Sequence, residues 1–345
     1  MVEIQEVIRY LKEYDGPEIK LMEVCGTHTA SIFKSGIRSL ISPKITLISG
    51  PGCPVCVTPT AYIDKCIEYA TKDNHILLTF GDMMKVPGTE GSLSDMKGKG
   101  AKVELMYSPF EAVEKAQANP DITYVVAAVG FETTAPAYAL MMQQAVSKEV
   151  KNIRLVTALK TVIPALTWIC ENQQDIDGFI CPGHVSTIIG SVPYEALAEK
   201  YKKPFVVAGF EAEHILAVIY DIVRQIEKGE HKVKNLYSNA VHDEGNPKAL
   251  NVLETFFEPG PAMWRGLGVI EGSGLYLKDT FYDGGSRGLD KDMQLPAGCS
   301  CGDVIVGKIN PDQCPMFKTK CSPMTPFGPC MVSAEGACGI WYRNK

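Results

Sequence analysis

Twelve cysteines in 345 residues are the first chemistry this sequence offers, and they are unevenly placed. Cys25, Cys53, Cys56 and Cys66 lie near the start, Cys170 and Cys181 in the middle, and Cys299, Cys301, Cys314, Cys321, Cys330 and Cys338 in the last 47 residues. The opening stretch MVEIQEVIRYLKEYDG has neither a basic leader nor an apolar block, so a cytoplasmic location is expected. Thiols stay reduced there, and so many of them point to metal binding or redox chemistry before structural disulfides. Four thiolates suit zinc or a [4Fe–4S] cluster. The tail CSCGDVIVGKINPDQCPMFKTKCSPMTPFGPCMVSAEGAC lacks the paired CxxC knuckles of zinc ribbons, which favours iron–sulfur. Spacing alone does not choose between Cys299 and Cys301.

Four further motifs place reactive side chains just after short apolar runs. CGTHT (25–29) sets Cys25 three residues before His28. A thiolate is a soft metal ligand and a nucleophile, and an imidazole beside it would lower its pKa or carry protons. The plain alternative is a buried Cys and a His capping the next helix. GPGCPVCVTP (50–59) sets Cys53 and Cys56 in a CxxC, a spacing that closes a small disulfide ring or grips one metal. A helix N-terminus following it would favour a thiolate. GFETTAP (130–136) offers Glu132, Thr133 and Thr134, to orient a ligand or cap a helix. CPGHVSTIIG (181–190) offers His184 as a metal ligand, an acid–base group or a helix-start residue. Trp264 and Arg265 in PAMWRGLG read as a packed loop, and Cys66, Cys170 and Cys181 as core.

The elements that position these motifs follow from periodicity. Eight Val- and Ile-rich runs (IKLMEVC, KITLISG, ILLTFG, KVELMYS, TYVVAAVG, IRLVTALK, GFICPG, PFVVAG) alternate with helical stretches such as PTAYIDKCIEYATKDN and PYEALAEKYKK. Strands apolar on both faces and alternating with helices imply parallel sheets, and ligands of such sheets bind at the strands' carboxyl ends. Dividing the runs four and four predicts two α/β/α domains, 1–120 and 121–230, followed by a small loop-rich iron–sulfur domain, 231–345. VVAAVGFET and VVAGFEAE echo each other, as an internal duplication or by chance. FFEPGPAMWRGLGVIEGSGL is expected to form loops and short strands. A net charge of −6 disfavours nucleic acid or an anionic membrane as partner, and no run approaches the ~20 apolar residues of a membrane span.

Taken in order, CGTHT, GPGCPVCVTP, GFETTAP, PGHVSTIIG and WRGLG resemble the HypD family of nickel–iron hydrogenase maturation factors. With the tail the likeness runs from residue 25 to 338. The family's cluster pattern C-x14-C-x6-C-x16-C falls on Cys299, Cys314, Cys321 and Cys338, which the resemblance implies hold a [4Fe–4S] cluster. It further implies a protein, monomeric in a heterocomplex, that helps build an Fe(CN)2CO centre. Cys25 would hold a transient iron carrying cyanide and carbon monoxide, shared with a HypC-type chaperone, and a HypE-type partner would donate the cyanide. Such transfer is reductive. A Cys53–Cys56 dithiol holds two electrons, the cluster would renew it, and Thr27, His28 and His184 would manage protons and orientation. Two other classes compete: an iron–sulfur-fed thiol–disulfide reductase, and a zinc-stabilised binding protein.

Overall fold

The computed structural model describes residues 3–292 and 297–345. Among them are the strands β1 (Ile19–Glu23), β2 (Ile45–Ser49), β3 (His75–Thr79), β4 (Val103–Leu105), β5 (Thr123–Gly130), β6 (Ile153–Lys160), β7 (Gly178–Cys181), β8 (Phe205–Val207), β9 (Val233–Asn235), β10 (Phe257–Trp264) and β11 (Gly268–Leu277). The first eight coincide with the eight apolar runs. β5 and β6 are each buried at all but one position, as strands covered on both faces must be.

One sheet has the order β2-β1-β7-β8-β9 and is parallel throughout. The other has the order β10-β11-β6-β5-β3-β4, with β3 to β6 parallel, β11 antiparallel to β6 and β10 antiparallel to β11. The chain accordingly forms two compact units, each discontinuous in sequence: residues 1–53, 165–247 and 297–345 in the first, and 54–164 with 248–296 in the second. This differs from the consecutive division at 120 and 230. The chain leaves the first sheet after β2, lays down β3 to β6, and returns at β7. An apolar strand carries no mark of its neighbour, so the crossing is invisible in the runs themselves. Residues 231–345 are likewise shared: β9 extends the first sheet and β10–β11 the second, while the cysteine-rich tail belongs to the first unit.

In each sheet the strand order reverses at a central pair, β1/β7 in the first and β3/β5 in the second. Such switch points open a crevice at the carboxyl ends. The echoing segments end β5, one of the switch pair of its sheet, and β8, which lies one strand beyond the switch pair of the other, so they do not occupy equivalent places. The hairpin is longer than expected, with strands of 8 and 10 residues. Gly266 and Gly268, at φ +84° and +92°, make its turn.

The first unit's core gathers Leu11, Ile19, Leu21, Ile32, Ile215 and Ile222, all almost fully buried. Each contributes about 1.5–3 kcal/mol. The helix Ile4–Glu13 joins it through Val7 and Leu11, with Ile4 and Ile8 partly buried, as its 3.6-residue spacing predicts. No helix among the described residues is long and apolar enough to cross a membrane.

Candidate functional site

CGTHT, the start of the CxxC loop and PGHVS each follow a strand of the first sheet, at the carboxyl ends beside the β1/β7 switch point, whereas GFETTAP follows β5 of the second. Cys25 follows β1 and is the N-cap of the helix Gly26–Lys34. Its sulfur accepts hydrogen bonds from the Thr27 and His28 backbone N–H groups and from the Thr27 hydroxyl. These donors favour a thiolate. Burial of the sulfur outweighs them, and the thiol's pKa stands above its ordinary value although the residue keeps an exposed edge.

His28 is fully buried, its Nε2 3.1 Å from the Gly209 carbonyl and 3.3 Å from that of Ala208. Two carbonyl partners require Nε2 to carry the hydrogen. Nδ1 is left as a buried acceptor without a partner. Burial pulls the ring's pKa down to about 4, so the imidazole is neutral at neutral pH. It supplies no positive charge to Cys25; the His28 backbone N–H does the lowering that its ring was expected to do. His184, exposed at the start of the helix Gly183–Ile189, stacks on Phe210 at 4.0 Å, and Phe210 stacks on His28 at 4.8 Å.

The CxxC loop closes on the same turn. Gly50 N–H donates to the Glu23 carbonyl at 2.8 Å. A Cβ on Gly52 would stand 2.6 Å from the Val24 carbonyl oxygen and 2.8 Å from Cys25 Cα, so only glycine lets the loop pass there. Cys53 and Cys56 are buried and joined as a disulfide. They straddle the point where the chain passes from the first unit to the second. The next helix begins at Thr60, beyond a turn closed by the Thr58 hydroxyl donating to Pro54 O at 2.8 Å. The expected helix N-terminus is therefore not at the thiols.

The tail packs on the other side of the Cys25 turn. A Cβ on Gly26 would meet the Glu335 carbonyl oxygen at 2.3 Å. Trp341, on the helix Ala337–Asn344, stands edge-on to Phe33 at 4.9 Å, and the Arg38 guanidinium lies over both rings. All six tail cysteines line one small pocket, completed by Met316, Phe317, Gly328 and Met331. Cys301 and Cys330, outside the family's spacing pattern, are thus in the same wall, and Cys330 hydrogen-bonds both Cys301 and Cys338. Burial pushes the Cys299 thiol up to about 12. Among the described residues no three His, Cys, Asp or Glu side chains are placed to hold a single ion. The structure shows a thiol-walled space. A wall of six sulfurs without nitrogen or oxygen donors fits a thiolate-ligated group.

Sequence reasoning missed Glu23 and Arg38. Glu23 ends β1 fully buried, its Oε1 accepting from Ser49 Oγ at 2.8 Å and lying 3.6 Å from Arg38 Nη2. Arg38 Nη1 donates to Leu47 O at 2.7 Å. The signal was a lone carboxylate closing the apolar run IKLME.

Glu132 and Thr133 lie in the second unit. Thr133 is exposed, and Thr134 makes no side-chain cap for the helix Ala135–Ser147. Glu132 is buried and its Oε1 accepts from Val162 N at 2.7 Å, capping the helix Val162–Asn172, while Oε2 has no partner. Burial raises its pKa from 4.5 to about 7. Between those values the folded chain binds more protons here than the unfolded one, so stability falls as pH rises across that window. Glu132→Gln is expected to remove this slope, about 1.4 kcal/mol per pH unit, relative to the unsubstituted protein in urea titrations at pH 5 and 7. The comparison cancels the opposite contribution of His28. A variant with an unchanged slope would show Glu132 ionised throughout.

The fold and site together define an α/β protein that assembles thiols and imidazoles at a sheet's carboxyl edge beside a cysteine-walled tail. The chain belongs to the HypD family: the family model described as "Hydrogenase formation hypA family" matches residues 2–345. It is 42% identical over 333 residues to the hydrogenase maturation factor HypD of Escherichia coli K12, covering 95% of this chain and 89% of that one. It is 41% identical to HypD of Rhodobacter capsulatus (94% and 89%) and 40% identical to a putative hydrogenase expression/formation protein of Methanocaldococcus jannaschii (95% and 92%). Its role is in hydrogenase assembly.

Proposed function

We propose that this protein is the scaffold and electron source on which cyanide is placed on iron for the Fe(CN)2CO centre, working with a HypC-type chaperone and a HypE-type cyanide donor. The observation that carries the reading is the approach of the CxxC loop and the cysteine-rich tail to the one turn that bears Cys25. Cys25 and a thiol of the chaperone hold the cargo iron. The donor presents cyanide on sulfur. Release follows R–S–CN + 2 Cys–SH → R–SH + Cys–S–S–Cys + HCN, in which the Cys53–Cys56 dithiol is oxidised, the S–C bond breaks, and cyanide loses its proton as it binds iron. His28, fixed by two carbonyls and neutral, offers its unpartnered Nδ1 as a hydrogen-bond acceptor that orients what binds beside it. Thr27 orients the Cys25 sulfur, and His184 closes the crevice through Phe210. Cys299, Cys314, Cys321 and Cys338 hold a [4Fe–4S] cluster, which supplies single-electron transfer when bound.

Co-expression with the two partners tests the reading by infrared spectroscopy. The unsubstituted complex should show cyanide and carbon monoxide bands, and Cys53→Ala should hold iron without cyanide bands. Full cyanide bands in Cys53→Ala would remove the dithiol from the reaction. Partner-independent reduction of small disulfides would favour a general reductase.

A further inference from the structure

Arg265 belongs to the hairpin turn, yet it is 1% exposed. Its backbone N–H donates to Val57 O at 2.9 Å and its Nε to Thr58 O at 2.9 Å. Nη2 reaches Thr60 Oγ1 at 3.3 Å. Asp292 completes the arrangement: its Oδ1 lies 3.3 Å from Arg265 Nε and accepts from Thr60 N at 3.1 Å and Thr60 Oγ1 at 2.9 Å. Apart from Asp292, every one of these partners lies in the strap that begins immediately after Cys56. A buried guanidinium is costly to desolvate, and simple closure of a turn does not call for one. Its five donors in a fixed fork suit the holding of several backbone acceptors at once.

We propose that Arg265, anchored by Asp292, is a positioning residue for the Cys53–Cys56 pair: it clamps Val57–Thr60 so that the reduced thiols stay in reach of each other. The argument is one of preorganisation. In the disulfide the ring itself fixes the loop. In the dithiol the clamp must do so, together with the turn that Thr58 closes on Pro54. Releasing it gives the reduced state more conformations and lowers the equilibrium constant for closing the disulfide. Because Asp292 neutralises the guanidinium, the effect is one of geometry and not of a field acting on the thiolates. This rests on the reading of Cys53 and Cys56 as a redox couple.

The test is equilibration of the full chain with dithiothreitol at graded ratios of reduced to oxidised reagent, reading free Cys53 and Cys56 by alkylation and mass spectrometry. The exchange is one disulfide for another, with two thiols formed as two are consumed. Arg265→Gln is expected to lower the closing constant about tenfold, a rise of about 30 mV in midpoint potential, with Arg265→Lys between it and the unsubstituted protein. Asp292→Asn, which keeps the guanidinium, should move the potential in the same direction. Variants with lowered stability but unchanged potential would make Arg265 a structural residue only. In the unsubstituted protein, the Arg265 amide should exchange faster after reduction, a readout that needs no substitution; equal exchange in both states would overturn the clamp. A pair in the unsubstituted protein that does not titrate at all would overturn both the couple and the clamp.

Discussion

Cys25→Ala is expected to carry no cargo iron while its tail keeps the iron and sulfide of a cluster. Co-expressed with its partners, the variant should show cyanide and carbon monoxide bands reduced at least 100-fold, with a visible spectrum unchanged from the tail. The fold should survive, because alanine at the Cys25 N-cap removes, besides the ligand, only the sulfur's contacts with the first turn of the helix, a loss of about 1 kcal/mol. The His28 Nε2 does not replace the sulfur, being committed to two carbonyls. Cys25→Ser should fail as fully, since a hydroxyl is a poor soft-metal ligand. Thr27→Val, which removes only one of three donors to the sulfur, should weaken the bands without abolishing them. Persistent bands in Cys25→Ala would move the iron to another residue and undo the proposed function. Iron without cyanide, the outcome expected for Cys53→Ala, is a different failure, so the two variants separate holding the cargo from reducing its donor.

How much of this was legible beforehand depended on whether local sequence carried the information. β1 to β8 were, because a strand buried on both faces must be apolar throughout. Their assortment into two sheets was not: the four-and-four division assumes that neighbours in sequence are neighbours in space, and the chain crosses between β2 and β3 and again between β6 and β7. The reactive residues of CGTHT, the CxxC and PGHVS fall together because each follows a strand of the first sheet; the carboxyl-end rule puts them at strand exits but does not separate them from GFETTAP, which exits the other sheet. What the residues then do required geometry. His28 reads as a charged neighbour of Cys25 in sequence, and only the carbonyls of Ala208 and Gly209 make it a neutral, oriented ring. Glu132 reads as a ligand or a local cap, and caps a helix thirty residues away instead. Arg265 looked like part of a packed loop; its burial is correct, but its partners belong to a segment some two hundred residues earlier, a relation no spacing records.

Loss of the tail's cluster is the second large expectation. Cys338→Ala should abolish the roughly four iron and four sulfide of a [4Fe–4S] site and leave residues 297–345 open to proteolysis. The tail's described helices are short, Cys301–Ile305, Pro329–Val332 and Ala337–Asn344, and between them lie turns. So little regular structure orders poorly without a bound group, whose binding energy becomes folding energy. The last helix docks by packing, where Trp341 meets Phe33 and Arg38. Trp341→Ala should therefore cost about 3–5 kcal/mol in urea titrations yet retain some cluster, whereas Cys338→Ala should lose cluster first and packing as a consequence. Cys301→Ala and Cys330→Ala decide whether the family's spacing has picked the ligands correctly, since both thiols line the same cavity as the other four. If the cluster survives both substitutions and falls with Cys299→Ala, the four spaced cysteines are the ligands. If Cys301→Ala loses it while Cys299→Ala does not, the ligand set shifts by two residues. Arg38 gives the loss a route to the active turn: its guanidinium touches Trp341 on one side and approaches the buried Glu23 carboxylate on the other, and Glu23 holds the first amide of the CxxC loop. A tail that unfolds thus leaves Arg38 half-supported against a buried charge. Cys338→Ala should for that reason also loosen the loop at Gly50, seen as faster amide exchange there, while Cys25→Ala should not.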